Sequence, residues 1–285
     1  MSAQKSVWYR ENWPNRGIGV SLRVTATLHE ERTACQKIKV FQTDSFGKVL
    51  VVDKRIVLCE NQGFFHREMM VHPALFTHRS PGRVAILGFA DCSLLAEVLK
   101  HEAVSEAWYV ESDERVTRVA EQFFPRLKES NNHPHANFFY GTAEAWIADA
   151  VPSAFDLIID DRRHRRAVFQ AKAMEDFCRN AHLVLAEGGL LVQYMGSPLL
   201  PDASGLRQRV KLLRDVGFEH VHPMIFPEPF APSGWAGVLL AGKQRRVQVF
   251  REEDATERQF VTHFYNEAVH RAALAVPEYI KGHLL

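Results

Sequence analysis

Two hydrophobic rhythms divide the chain. From about Gly17 to Val57, short apolar runs alternate with polar positions, the period of half-buried strands. Val20–Leu28 and Lys37–Phe41 are predicted strands. Asp44-Ser-Phe-Gly-Lys is a turn leading into a strand at Val49–Asp53, and Arg55–Cys59 follows. A helix is predicted over Phe64–Phe76, with Phe65, Met69, Val71 and Leu75 supplying a mostly buried face, and Arg79-Ser-Pro-Gly punctuates its end. From Arg83 the rhythm becomes strand–helix alternation. Short apolar strands are predicted at Val84–Leu87, Ala107–Val110, Asn137–Tyr140, Phe155–Ile159 and Leu190–Tyr194, with helices at Ser93–Lys100 and Glu114–Phe124. His220–Phe226 and Trp235–Ala241 are the last strands expected, before a helical tail. The predicted fold is α/β: a Rossmann-like, methyltransferase-type parallel sheet covered on both faces, preceded by a small N-terminal antiparallel β-domain. The expected division is residues 1–78, a β-domain with a linking helix, and residues 79–285, the Rossmann-like domain.

Composition narrows the partners. The 285 residues are 46% hydrophobic and 24% charged, enough apolar material for a sizeable core. Thirty-five Lys and Arg against 34 Asp and Glu leave a net charge of +1, so neither nucleic acid nor a membrane surface is expected as a partner. No apolar run approaches the roughly 18–20 residues of a membrane span, and the first residues hold no secretory signal. Cys35, Cys59, Cys92 and Cys178 are scattered, without zinc-ligand or redox spacing. They are expected to be reduced, mostly buried thiols of a cytoplasmic protein, and no metal is expected.

In an open parallel sheet, ligands bind outside the carboxyl ends of the strands, where the strand order reverses. Four such ends carry polar residues: Gly88-Phe-Ala-Asp91-Cys, Glu111-Ser-Asp113, Gly141-Thr142-Ala143-Glu144, and Asp160-Asp161-Arg-Arg-His164-Arg-Arg. A glycine turn after the first strand with an acid after the second is how such folds hold a ribose, the carboxylate accepting from both hydroxyls. The competing reading is that these acids merely start helices.

The same residues resemble the polyamine aminopropyltransferase family of spermidine and spermine synthases. The similarity runs from Glu30-Glu-Arg-Thr-Ala-Cys-Gln36-Lys-Ile38 through Phe46–Asp53, Glu68-Met-Met-Val-His-Pro, Tyr109-Val-Glu111-Ser-Asp113, Asp156–Asp161 and Gly188–Gln193 to the tail Phe264–Tyr279. The resemblance implies attack of a neutral amine on decarboxylated S-adenosylmethionine as co-substrate, with release of methylthioadenosine and no metal. It also implies roles. Gln36 and Glu111 match ribose-binding residues, Asp91 with Gly88 matches the loop that holds the donor's propylamine, and Asp161 matches the carboxylate that receives the acceptor's proton. Thr142 and Ala143 stand at the adenine edge. Gln62, His66 and His164 fall on the acceptor side, and a homodimer is expected.

Departures from the family pattern point to a rebuilt acceptor site. The family's Gly-Gly-Gly-Asp-Gly loop is Gly88-Phe-Ala-Asp-Cys92, and its Asp-Gly adenine pair is Thr142-Ala143. Its Asp-Glu-Phe-x-Tyr-His-Glu-Met segment is Gln62-Gly-Phe-Phe-His66-Arg67-Glu-Met, and its Asp-x-x-Asp-Pro is Asp161-Arg-Arg-His164-Arg. Arginines beside the catalytic carboxylate oppose a dication, at roughly 1–4 kcal/mol per contact at 4 Å. Plain putrescine is therefore not the expected acceptor, and an anionic amine is a candidate. Two alternatives stay open. Arg67 can clamp the carboxylate of intact S-adenosylmethionine, giving 3-amino-3-carboxypropyl transfer or cyclisation. Alternatively, Phe89 and Cys92 fill the nucleoside cavity of a non-catalytic binding or assembly protein. His133-Pro-His135 reads as a loop turn, Asp113 as a helix cap, Pro227–Trp235 as a proline-rich lid, and Trp235 as core.

Overall fold

The structure, a computed structural model, describes residues 7–89, 92–162, 171–198 and 203–282. Five antiparallel strands come first, each beside its chain neighbour: β1 (Val7–Trp13), β2 (Ile18–Arg32), β3 (Lys37–Thr43), β4 (Lys48–Val52) and β5 (Arg55–Cys59). β1 adds a strand that the hydrophobic rhythm does not announce. Its one buried residue is an acid, Glu11, whose carboxylate accepts from Arg55 Nη1 at 3.0 Å and the Ile56 amide at 2.7 Å. Asp53 and Lys54 both take positive φ (46° and 69°), the two-residue turn whose twist suits the β4–β5 hairpin.

Helix α1 (Phe64–Thr77) leads into β6 (Arg83–Leu87), α2 (Ser93–Val98), β7 (Glu106–Glu111), α3 (Glu114–Phe123), α4 (Arg126–Asn131), β8 (Ala136–Tyr140), α5 (Ala143–Asp149) and β9 (Phe155–Asp160). Then come α6 (Ala171–Val184), β10 (Leu185–Gly196), α7 (Ala203–Asp215), β11 (His220–Pro227) and β12 (Trp235–Gly242). The tail holds α8 (Glu252–Thr256), α9 (Glu267–Leu274) and α10 (Glu278–Lys281). The second sheet runs β11-β12-β10-β9-β6-β7-β8. Five strands, β10 to β8 in that order, are parallel, whereas β12 is antiparallel to both neighbours. The Rossmann-like parallel sheet expected from the rhythm is present, with an antiparallel pair added at its β11–β12 edge. No crossover helix separates β11 from β12, and a hairpin joins only antiparallel strands.

The central strands are buried on both faces, which is why Val84–Leu87, Leu157–Ile159 and Leu190–Val192 read as unbroken apolar runs with 0% exposure. The expected division near residue 78 falls between α1 and β6, yet one core crosses it. Ile38, Val40 and Leu50 of the first sheet pack with Met69, Met70 and Leu75 of α1 and with Val84 and Ile86 of the second. Glu68 is fully buried in α1 and accepts from the His263, Phe264 and Tyr265 amides, each at 2.8 Å, pinning the tail to the helix. Trp235, expected in the core, is 42% exposed at the start of β12. Cys59, Cys92 and Cys178 are buried free thiols and Cys35 is exposed. Among the described residues no helix is long and apolar enough to cross a membrane.

Strand order reverses at β6, which lies between β9 and β7. The crevice of such a fold therefore opens at the carboxyl ends of β6 and β9, where Gly88 and Asp161 follow.

Candidate active site

The end of β6 is closed tightly. Gly88 donates its amide to Val110 O at 2.9 Å, and a Cβ there would lie 2.3 Å from the Tyr109 hydroxyl oxygen, so only glycine fits. Phe89 is half-buried and packs against the main core, and Cys92 is buried ahead of α2. Asp91 lies outside the described residues.

At the end of β7, Glu111 is 2% exposed, and its Oε1 accepts from the Ser112 amide (2.7 Å), the Ser112 hydroxyl (3.0 Å) and the Asp113 amide (3.2 Å). Three donors on one oxygen hold the carboxylate in a fixed orientation. Asp113 caps α3 by accepting from the Arg115 amide, as its sequence position predicts, and its other oxygen accepts from Thr33 Oγ1 at 2.6 Å. Thr33 Oγ1 in turn accepts from the Gln36 amide at 3.0 Å, and Arg115 clasps Glu31 through two bonds of 2.7 and 2.9 Å. The first sheet is thereby latched to the second, and Gln36 is brought toward the Glu111 end of β7. Gln36 Nε2 is buried without a hydrogen-bond partner, a donor left for a ligand. Thr142 and Ala143 serve the backbone: Thr142 caps α5 through the Ala145 amide, and Ala143 is buried in its first turn.

A second group of the expected site residues lies between the two sheets. A cavity of about 170 Å3 is lined by Glu11, Trp13 and Arg16 of the first sheet's rim, by Cys59, Gly63 and His66, and by Tyr194, Glu228 and Phe230. His66, 3% exposed in the first turn of α1, spans two carboxylates. Its Nε2 is 2.8 Å from Asp161 Oδ1 and its Nδ1 is 3.2 Å from Glu228 Oε2. Asp161 is 1% exposed, takes no part in the cavity wall, and is fixed by its amide to Leu87 O at 3.0 Å. Cys59 donates weakly to Gln62 Oε1 at 3.8 Å, and burial pushes its thiol up to about 11.

Two sequence-based readings change. Arg162, expected beside the acceptor, turns away: it binds both oxygens of Asp160, reaches Glu144 at 2.7 Å and stacks 4.0 Å from the Phe177 ring. A guanidinium facing two acids and an aromatic ring has its charge balanced. His164 and the remaining arginines of that loop lie outside the described residues. Arg67 is anchored through Nε to Glu97 at 3.0 Å, in a buried cluster with His72 and Lys100. Burial works against the Glu97 carboxylate, but His72 and Lys100 overcome it and hold the group down at about 2. Sequence reasoning missed Glu228, Glu11 and Thr33. Only Glu228 left a signal, inside the proline-rich segment at Pro227–Trp235. Among the described residues no cluster of His, Cys, Asp or Glu is arranged to hold a metal ion.

The spermine/spermidine synthase domain model matches residues 63–252, and the spermidine synthase tetramerisation domain model matches residues 7–60. The chain belongs to the spermidine and spermine synthase family. Its relatives include the polyamine aminopropyltransferases of Alkalilimnicola ehrlichii, 41% identical over 275 residues and 96% of each chain, and of Methylococcus capsulatus, 39% identical over 274 residues and 95% of each chain. Family membership among such transferases makes the protein an enzyme of the aminopropyl transferase class. The fold matches spermidine synthase from Thermotoga maritima with a TM-score of 0.90 at 24% identity, covering 99% of this chain and 95% of that one. A spermidine synthase in complex with the transition-state analogue AdoDATO matches with a TM-score of 0.91 at 24% identity, covering 99% and 96%.

Proposed function

We propose that the enzyme transfers the aminopropyl group of decarboxylated S-adenosylmethionine to an amine that enters as a cation and is not plain putrescine. Two groupings support this reading: Gln36 and Glu111, linked through Thr33 and Asp113, suit a nucleoside, and Asp161 and Glu228, on either side of His66, suit an amine. Glu111, pre-oriented by three donors, receives the ribose hydroxyls, and Gln36 Nε2 gains the partner it lacks. Bound there, the donor's sulfonium is its own activated leaving group. The protein's part is to align the propyl carbon with the amine and to take one proton, the role of Asp161.

The acceptor's character follows from the walls. Two carboxylates, Glu11 and Glu228, reach the cavity against one guanidinium, Arg16, and Arg162 does not reach it. A cationic amine is favoured over the anionic one that the arginine-rich sequence suggested. The carboxylate pair that would bridge an ammonium of a diamine is already bridged by His66, which sets putrescine apart from the preferred substrate. Assembly into a homo-oligomer through the first sheet accompanies this reading.

Calorimetric titration tests the donor. Methylthioadenosine and the decarboxylated donor are expected to bind one per chain. Intact S-adenosylmethionine should bind about tenfold more weakly, since Arg67 is engaged by Glu97 and leaves a carboxylate without its charge partner. Equal affinity for both donors would move the assignment to carboxypropyl chemistry.

A further inference from the structure

The strand ends around the switch point belong to two halves of the second sheet. β9 lies on one side of β6, and β7 and β8 lie on the other. Glu111 ends β7, and the turn that follows β8 is fastened beside it. Gly141 donates its amide to Glu111 O at 2.9 Å, and a Cβ on Gly141 would stand 2.5 Å from the Phe139 ring. Thr142 then caps α5, whose first turn carries Ala143 and Glu144. These contacts tie the turn to β7. They leave its spacing from β9 to other groups.

Arg162 spans that gap. It stands two positions after Asp160, the last residue of β9, and binds both oxygens of that carboxylate, through Nε at 2.5 Å and Nη2 at 2.8 Å. Its Nη1 reaches across to Glu144 Oε1 at 2.7 Å, and the guanidinium lies 4.0 Å from the centre of the Phe177 ring. Phe177 of α6 shares one apolar cluster with Ala143 and Ile147 of α5. The Arg162 and Asp160 side chains are 9% and 7% exposed, so charge and packing fix the fork with little competition from water. A planar guanidinium held on one edge by Asp160 presents its remaining nitrogen in a set direction, and Glu144 follows it.

We infer that Arg162 is a positioning residue for the nucleoside. Its bridge from Asp160 to Glu144 holds the Gly141–Ala143 turn at the spacing from β9 that admits the base while the ribose meets Glu111. This inference rests on the reading that places the donor's ribose on Glu111. Arg162 touches no substrate and acts through the turn it fixes. With the bridge cut, the turn keeps its bonds to β7 but is no longer set against β9. The nucleoside must then order it on binding, and affinity falls by that cost. The cavity between the sheets is unaffected, since neither Arg162 nor Glu144 lines it.

The test is calorimetric titration with methylthioadenosine, run first on the unaltered enzyme. No binding there removes the nucleoside reading and the inference with it. Where the enzyme binds, Glu144→Gln and Arg162→Met should each weaken methylthioadenosine about tenfold. The double variant should bind no more weakly than either single one, because both changes cut the same bridge. Arg162→Lys keeps the charge without the two-edged fork and should recover part of the loss. In steady-state assays of Glu144→Gln, the KM for the decarboxylated donor should rise by the same factor, with kcat and the KM for the amine little changed. A cooperative thermal transition shows that each variant is folded. Should Arg162→Met fail to fold, Glu144→Gln decides alone, since that side chain is 44% exposed. Affinity within about twofold of the unaltered enzyme in folded Glu144→Gln overturns the inference. Losses that add in the double variant overturn it too, because the two residues would then act separately.

Discussion

Thr33 Oγ1 donates a 2.6 Å hydrogen bond to Asp113 Oδ2, joining the turn that carries Gln36 to the strand end that carries Glu111. Eighty residues of chain separate the two partners. The bond therefore acts between sheets and not within a local turn. Thr33→Val keeps the shape and removes the donor. It is expected to raise the KM for the decarboxylated donor about tenfold, the worth of one hydrogen bond to a carboxylate, with kcat little changed. Steady-state kinetics at saturating amine separates the two parameters.

Glu111 is the residue on which nucleoside affinity should depend most. Its Oε1 is already occupied by loop donors, so Glu111→Gln places an amide where acceptors are needed and disturbs the loop as well. Calorimetry should show methylthioadenosine affinity falling about 10- to 100-fold. Thermal unfolding should move far less than ligand affinity.

Glu68→Ala tests the tail. Three backbone amides, those of His263, Phe264 and Tyr265, would lose their buried acceptor at once. The expected loss is about 3 kcal/mol or more of stability, read as a lower denaturation midpoint.

Acid should weaken the fold through buried histidines. Burial holds His101 down at about 2 and His270 at about 3, and it lowers His72 as well. Below about pH 6.5 the unfolded chain binds protons at these rings that the folded chain refuses, so stability declines as pH falls. Each such ring contributes up to about 1.4 kcal/mol per pH unit over that window. The melting temperature is expected to drop steadily from pH 7 to pH 5. His270→Phe, which keeps the stack on Phe250, should flatten the slope.

Most of the fold was legible because its elements have an apolar period. Val84–Leu87 and Leu157–Ile159 could hardly be anything but buried strands. β1 was not legible, since the residue it buries is Glu11 while its apolar Val7 and Trp8 are 63% and 58% exposed. The antiparallel edge was hidden for another reason: strand direction follows from connection geometry, and the segment between Pro227 and Trp235 reads only as proline-rich loop. Within the site, Gly88, Glu111 and Asp161 follow strand ends and were readable from that position alone. Glu228 and Thr33 were not, because each acquires its partner, His66 and Asp113 respectively, from a helix start far along the chain. Arg162 misled for the same reason. Its sequence neighbours suggested a repulsive loop, whereas Asp160 and Glu144 take up its charge in three dimensions.

The central claim is amine-dependent aminopropyl transfer, and the direct measurement is methylthioadenosine release from decarboxylated S-adenosylmethionine across a panel of monoamines, putrescine and longer polyamines. The account predicts release that depends on the amine, favours a cationic acceptor other than putrescine, and falls at least about 100-fold in Asp161→Asn with nucleoside binding intact. A folded enzyme that binds methylthioadenosine yet releases none with any amine would contradict it.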